Sequence, residues 1–154
     1  MIFAGKYLGT IKEELSIQAE NDGTFKYLDL QNMLPWEENF QRIARSSCGC
    51  VFYEDNSNNR VGIPNRIFEY MYCGLPILVS DFPELRNIVE KYKCGLVVNS
   101  EKPEEIAKAI NKIFENPIEA SKMGERGKRA IEQDLGYHVD LKKLEKLYLK
   151  ILKK

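Results

Sequence analysis

The chain is poor in metal ligands, has no surplus charge of either sign and lacks a long apolar run. A single histidine, His138, excludes a His-rich metal site by count. The four cysteines, Cys48, Cys50, Cys73 and Cys94, contain no Cys-x-x-Cys pair, so a thiolate zinc site is not expected either. Lys+Arg and Asp+Glu number 23 each, which removes the bulk positive charge that nucleic-acid binding or adhesion to an anionic membrane draws on. No apolar stretch approaches the roughly 20 residues that cross a bilayer. The opening Met1-Ile2-Phe3-Ala4-Gly5-Lys6 is interrupted too soon for a signal peptide, so a cytoplasmic protein with reduced thiols is expected. What remains is 154 residues, 44% hydrophobic and 30% charged, the balance of one soluble globular domain. Folding at this length buries about 70% of the unfolded surface.

Short apolar runs alternate with longer amphipathic ones. Strands are expected at Met1–Ala4, Phe25–Leu30, Cys50–Tyr53, Ile77–Val79 and Leu96–Val98. Helices are expected over Thr10–Glu20, Pro35–Ser46, Pro64–Cys73, Pro83–Tyr92, Pro103–Phe114, Ile118–Ile131 and Val139–Leu152. Prolines open several of them, where the missing N–H costs nothing. Glu54–Arg60 reads as a polar loop. Strands alternating with helices give an α/β, doubly wound parallel sheet, in which ligands gather beyond the carboxyl ends of the strands. Those ends are Gly5-Lys6-Tyr7, Leu30-Gln31, Glu54–Gly62 and Ser80-Asp81.

The most informative segment runs from Val61 to Pro76. A polar loop leads through Gly62-Ile63-Pro64 into a helix, with Pro64 in its first turn. The free amides and dipole at a helix N-terminus favour an anion, and Gly62 allows close approach to the backbone. Asn65 and Arg66 stand four and three residues before Glu69, on one helix face. An arginine beside free amides can hold a diphosphate, and a carboxylate one turn on can accept two vicinal hydroxyls of a ribose. The same residues also fit a surface ion pair between Arg66 and Glu69, worth about 0.3–0.5 kcal/mol, with Gly62-Ile63-Pro64 a plain turn. Spacing leaves both readings open.

Gly62 to Gly74, followed by Leu75-Pro76-Ile77-Leu78-Val79-Ser80-Asp81, resembles the nucleotide-sugar lobe of GT-B glycosyltransferases of family four. Cys94-Gly95-Leu96-Val97-Val98 and Lys102-Pro103-Glu104-Glu105-Ile106-Ala107 resemble that lobe's next strand and helix. The resemblance implies a Rossmann-like C-terminal GT-B lobe spanning residues 1–154. Glu69 would bind the nucleotide ribose, and Gly62, Ile63 and Pro64, with Asn65 and Arg66, would meet the diphosphate and donor sugar. Leu28–Gln31, with Leu30 at its centre, would hold the base, and Gly5 and Lys6 would lie in the loop after the lobe's second strand. The substrate would be a nucleotide diphosphate sugar of UDP or GDP type, with no cofactor. Sugar would pass to a saccharide or lipid-linked acceptor.

Two departures qualify this. The first of the family's paired glutamates would fall at Val61; Pro64-Asn65-Arg66 resembles the subset that keeps a single glutamate. The lobe's first strand and helix are also missing, as is the acceptor-binding N-terminal lobe. A fragment of a two-lobe enzyme, itself inactive, is therefore expected, touching membranes only through the full enzyme. In the 3-2-1-4-5-6 order the missing strand would lie between those at 1–4 and 50–53, unless these two close up. Asp22, Asp29, Asp55, Asp81, Asp134 and Asp140 form no Asp-x-Asp, so a metal-independent, retaining transfer is expected. A non-catalytic nucleotide-binding or interaction module is the alternative. A receiver-like domain ranks below both, since Gly5-Lys6 stands where it needs clustered carboxylates.

Weaker candidates are read as structural. Glu54-Asp55 is expected to be solvated, His138 exposed and unpaired, and Cys48-Gly49-Cys50 inert at the head of a buried strand. Lys142-Lys143 and Lys153-Lys154 are taken as the wet side of the last helix, whose Leu144, Leu147 and Ile151 are partly bare.

Overall fold

A computed structural model describes residues 1–152; Lys153 and Lys154 lie outside the described residues. The chain divides into two compact units, Met1–Arg42 and the remainder from Ile43. The first contains β1 (Ile2–Ala4), α1 (Ile11–Asn21), β2 (Asp29–Gln31) and α2 (Trp36–Ala44), within whose last turn the division falls. β1 and β2 are parallel, with Phe3 opposite Leu30. Ala19 is the buried contact of α1.

The strand expected at Phe25–Leu30 begins four residues late. Phe25–Tyr27 winds into a single 3₁₀ turn, closed by Tyr27 N–H to Thr24 O at 2.9 Å and Leu28 N–H to Phe25 O at 3.0 Å. Only from Asp29, whose amide bonds Met1 O at 2.9 Å, does the chain run beside β1. The apolar residues that read as strand are used in turning the chain after α1.

The second unit holds β3 (Gly49–Val51), α3 (Ser57–Val61), α4 (Asn65–Tyr72), β4 (Ile77–Ser80), α5 (Pro83–Tyr92), β5 (Gly95–Val98), α6 (Pro103–Glu115), α7 (Pro117–Ala130) and α8 (Tyr137–Leu152). A π-helical turn over Ile131–Leu135 joins the last two. The strands are parallel in the order β3-β4-β5, with Gly49 opposite Ile77 and Ile77 opposite Gly95. β4 is central and buried throughout. Ile77 and Val79 pack with Ile67 and Met71 of α4, Leu85, Ile88 and Val89 of α5 and Ala130 beyond them. Leu78 faces the other way, toward Val98 and Ala109 of α6. Both faces of this sheet are thus covered by apolar side chains, as a parallel sheet requires. Each fully buried aliphatic chain contributes about 1.5–3 kcal/mol.

The fold is therefore α/β with parallel, Rossmann-like sheets. The described strands fall in two sheets, β1-β2 and β3-β4-β5, so β1 and β3 do not pair with each other. The strand expected at Cys50–Tyr53 lies one residue earlier and ends at Val51. Pro83, Pro103 and Pro117 open their helices as expected. α4 ends on Gly74, whose φ of +72° is left-handed and favours glycine. α8 buries no residue, and a groove of about 380 Å³ runs along Tyr137, Leu141, Leu144 and Leu147. No helix among the described residues is long and apolar enough to cross a membrane.

Candidate functional site

The carboxyl end of the three-stranded sheet is organised by one buried hydroxyl. Ser80, the last residue of β4, is fully buried. Its Oγ accepts the Tyr53 amide at 2.9 Å and donates to Tyr53 O at 3.4 Å. Ser100, beyond β5, donates to the same carbonyl at 2.9 Å. Tyr53 is thereby tied down just where the chain leaves β3 for the segment expected to meet a diphosphate.

That segment is not all loop. Asn56 caps a short helix, α3, by accepting the Asn59 amide at 2.9 Å, and Asn59 Nδ2 donates to Glu54 O at 2.9 Å. Asn-rich sequence reads as loop because its side chains compete for backbone groups; here that competition makes the cap. Asp55 is not merely solvated: both of its oxygens accept from Arg60, and this pairing holds its carboxyl below the ordinary value. Val61 ends α3 and is 75% exposed.

Gly62 and Ile63 follow, both exposed. Gly62 has an extended backbone that other residues adopt, but an added Cβ would lie 3.3 Å from Asn58 O. Pro64 is not within the first turn of α4; at ψ 136° it is the capping residue just outside. Its carbonyl accepts the Ile67 amide at 3.1 Å, and no side chain caps the helix. Asn65 and Arg66 open α4 on the exposed side, while Ile67 and Met71 plunge into the core. This alternation places Arg66 and Glu69 on the outer face, with Arg66 Nε 3.6 Å from Glu69 Oε2 and side-chain exposures of 43% and 34%. The contact is an ion pair and longer than a hydrogen bond. Tyr70 sits beside them: burial pushes its phenol pKa up, and the Arg66 guanidinium pulls in the opposite direction.

Gly5, Lys6 and Leu30 belong to the first unit. The Gly5 amide donates to Gln31 O at 3.2 Å, extending the β1–β2 ladder by one bond, and Lys6 is exposed. Leu30 is half-buried at the register position opposite Phe3. The Tyr7 hydroxyl donates to Phe3 O at 2.8 Å, and burial, then the nearby Asp29 carboxylate, raises its pKa. Gly5, Lys6 and Leu30 thus lie in or beside the β1–β2 pair of the first unit, and Gly62–Glu69 form the connection from α3 into α4 in the second.

Sequence reasoning missed the Ser80–Tyr53–Ser100 cluster, since nothing local pairs residues 27 and 47 apart. It also missed Arg86, which holds both oxygens of Asp81 and reaches Glu90 at 2.8 Å. His138 is exposed as expected but not unpaired: its Nε2 donates to Glu132 O at 2.8 Å.

Parallel strands flanked by helices form Rossmann-like α/β units, with an uncapped helix start at α4. The chain belongs to the family described as glycosyl transferases group 1, which matches residues 9–130. It is 28% identical over 142 residues to the Alpha-1,3/1,6-mannosyltransferase ALG2 of Dictyostelium discoideum, a stretch covering 89% of this chain and 33% of that protein. It is also 28% identical over 60 residues to the chitobiosyldiphosphodolichol beta-mannosyltransferase of Candida albicans, covering 38% of this chain and 13% of that one. Among solved structures, Anabaena Alr3699/HepE in complex with UDP superposes with a TM-score of 0.79 at 16% identity, over 97% of this chain and 40% of that one. Sucrose-phosphate synthase from Thermosynechococcus elongatus gives 0.74 at 16% identity, over 99% and 38%. The chain spans a third or less of these two mannosyltransferases and about two-fifths of these two solved chains.

Proposed function

We propose that this chain is the donor-nucleotide lobe of a glycosyltransferase. In the complete enzyme it holds a nucleotide diphosphate sugar of UDP or GDP type, and the sugar passes with retention to a saccharide or lipid-linked acceptor. The observation that carries this is the start of α4: no side chain caps it, with Arg66 exposed in its first turn and Glu69 half-buried one turn on. The amide end and Arg66 neutralise the diphosphate. Glu69 gives up its loose contact with Arg66 and accepts the two ribose hydroxyls. Gly62, Ile63 and Asn65 line the approach to the sugar. Anabaena HepE, whose fold this chain shares, has been solved with UDP and with UDP-glucose.

The reading requires no cofactor and no metal, because positive charge on the leaving diphosphate comes from the helix end and basic side chains. The partner is an N-terminal acceptor lobe, and the lone chain transfers nothing. A second reading, a nucleotide-binding or interaction module without catalysis, is favoured by Val61, an apolar residue where the family's sugar-contacting glutamate would stand.

Calorimetric titration of the chain with UDP and GDP, wild type against Glu69→Ala, tests the pocket. One hydrogen bond to a charged acceptor is worth about 1.5–3 kcal/mol, so losing even one of the two lowers affinity about 10- to 150-fold in the variant. Unchanged affinity, or no heat with either nucleotide for folded wild type, refutes the assignment of Glu69. Sugar transfer by the chain alone refutes its inactivity.

A further inference from the structure

From Tyr53 to Ile63 no residue is buried, so the connection from β3 to α4 has no core of its own. The helix it leads into needs none from it: Ile67 and Met71 are fully buried and seat α4 on the sheet. Gly62 and Ile63, just outside that helix, have no such anchor. Where they stand is decided at the far end of the connection, by Tyr53.

We propose that Ser80 is a positioning residue for the donor site, acting through Tyr53 on the backbone of Gly62 and Ile63. The inference rests on the reading of that segment as the approach to the diphosphate and sugar. Ser80 is the one buried polar side chain among the described residues. β3 stops at Val51, so Tyr53 lies beyond the strand, and its amide donates instead to Ser80 Oγ at 2.9 Å. Its carbonyl accepts the Ser100 hydroxyl at 2.9 Å. Ser80 ends β4, the strand buried throughout, so the start of the connection is referred to the centre of the sheet.

Hydrogen bonds carry that position onward. Glu54 O accepts Asn59 Nδ2 at 2.9 Å, and the Asn59 amide donates to Asn56 Oδ1 at 2.9 Å, which ties residues 54–59 into one piece. Asp55 and Arg60 are paired across the same stretch. α3 lies against α5, and Asn58 O would stand only 3.3 Å from a Cβ on Gly62, so Gly62 follows α3 closely. A displacement of Tyr53 is therefore passed to Gly62 instead of being absorbed on the way. Groups already held in their bound geometry lose less freedom when a ligand arrives, and that is what the buried hydroxyl supplies.

Calorimetric titration with UDP and GDP tests this in wild type, Ser80→Ala, Ser80→Cys and Ile113→Ala, each well below its melting temperature. The expected result is an affinity about 2- to 10-fold lower in Ser80→Ala, the worth of about one hydrogen bond. Ser80→Cys, near in size but a weak acceptor, should fall between it and wild type. Ile113 is buried on α6, outside the connection, so its truncation lowers stability and should leave affinity unchanged. Unchanged affinity in Ser80→Ala beside a weakened Glu69→Ala overturns the inference and leaves the pocket standing. Equal losses in Ser80→Ala and Ile113→Ala make Ser80 a stabilising residue only and overturn it as well. A folded wild type that binds neither nucleotide removes the pocket and the inference with it. Should Ser80→Ala fail to fold, wild-type affinity in Ser80→Cys is the refuting result.

Discussion

Replacing Ser80 by alanine removes the hydroxyl of a fully buried side chain. The Tyr53 amide, bonded to that oxygen at 2.9 Å, then has no partner, whereas Tyr53 O keeps the Ser100 hydroxyl at 2.9 Å. A buried donor left unsatisfied costs about 1–3 kcal/mol. For a chain of this size each kcal/mol lowers Tm by about 2–4 °C, so near 2 kcal/mol the variant should melt about 4–8 °C below wild type. The loss should be local as well as global: amide exchange at Tyr53 should accelerate more than at core positions such as Leu78. Ser100→Ala is the contrast. Ser100 leaves Tyr53 O its bond to Ser80 at 3.4 Å and can be replaced by water, so about 0.5 kcal/mol is expected. Thermal melts followed by circular dichroism, with hydrogen exchange on the same samples, measure both. If Ser80→Ala melts within about 1 °C of wild type, the buried hydroxyl is not what anchors Tyr53.

Two further outcomes follow from packing and charge. Gly124→Ala should cost about 1–3 kcal/mol or more, because its Cβ would lie 1.8 Å from Gly74 O and force α7 away from the end of α4; a denaturant midpoint equal to wild type refutes that contact. Asp134 accepts from Lys91 and from Tyr92, and these bonds hold its carboxyl below the ordinary range. Its contribution should be complete above the unfolded carboxylate pKa of about 3.9 and be lost as pH falls through the lower folded value. The difference in Tm between wild type and Asp134→Asn should therefore shrink on acidification through that window, and a constant difference would refute the pairing.

Much of the architecture was open to reading from local pattern. Pro83, Pro103 and Pro117 mark true helix starts, because a residue without N–H is tolerated only there. The run Ile77-Leu78-Val79 names a strand covered on both sides, since no other element buries three consecutive aliphatics so cheaply. Arg66 and Glu69 could be placed on one face from their spacing alone. The same reasoning erred where a segment's partner lay elsewhere. Phe25–Tyr27 is apolar enough for a strand but is spent on the turn that aligns Asp29 with Ile2. Asn56–Asn59 is polar enough for a loop yet caps itself into a helix.

Amino-acid order by itself determined the periods, the breaks and the family resemblance, because each depends on residues a turn or a strand apart. Tertiary structure alone decided that Ser80 holds Tyr53, that Gly124 seats against Gly74 and that Cys48 and Cys50 pack against the cluster of Leu78, Val98 and Ala109. Those contacts depend on which strand lies beside which and in what register, and register is set by the summed burial of the whole sheet rather than by any short stretch of chain.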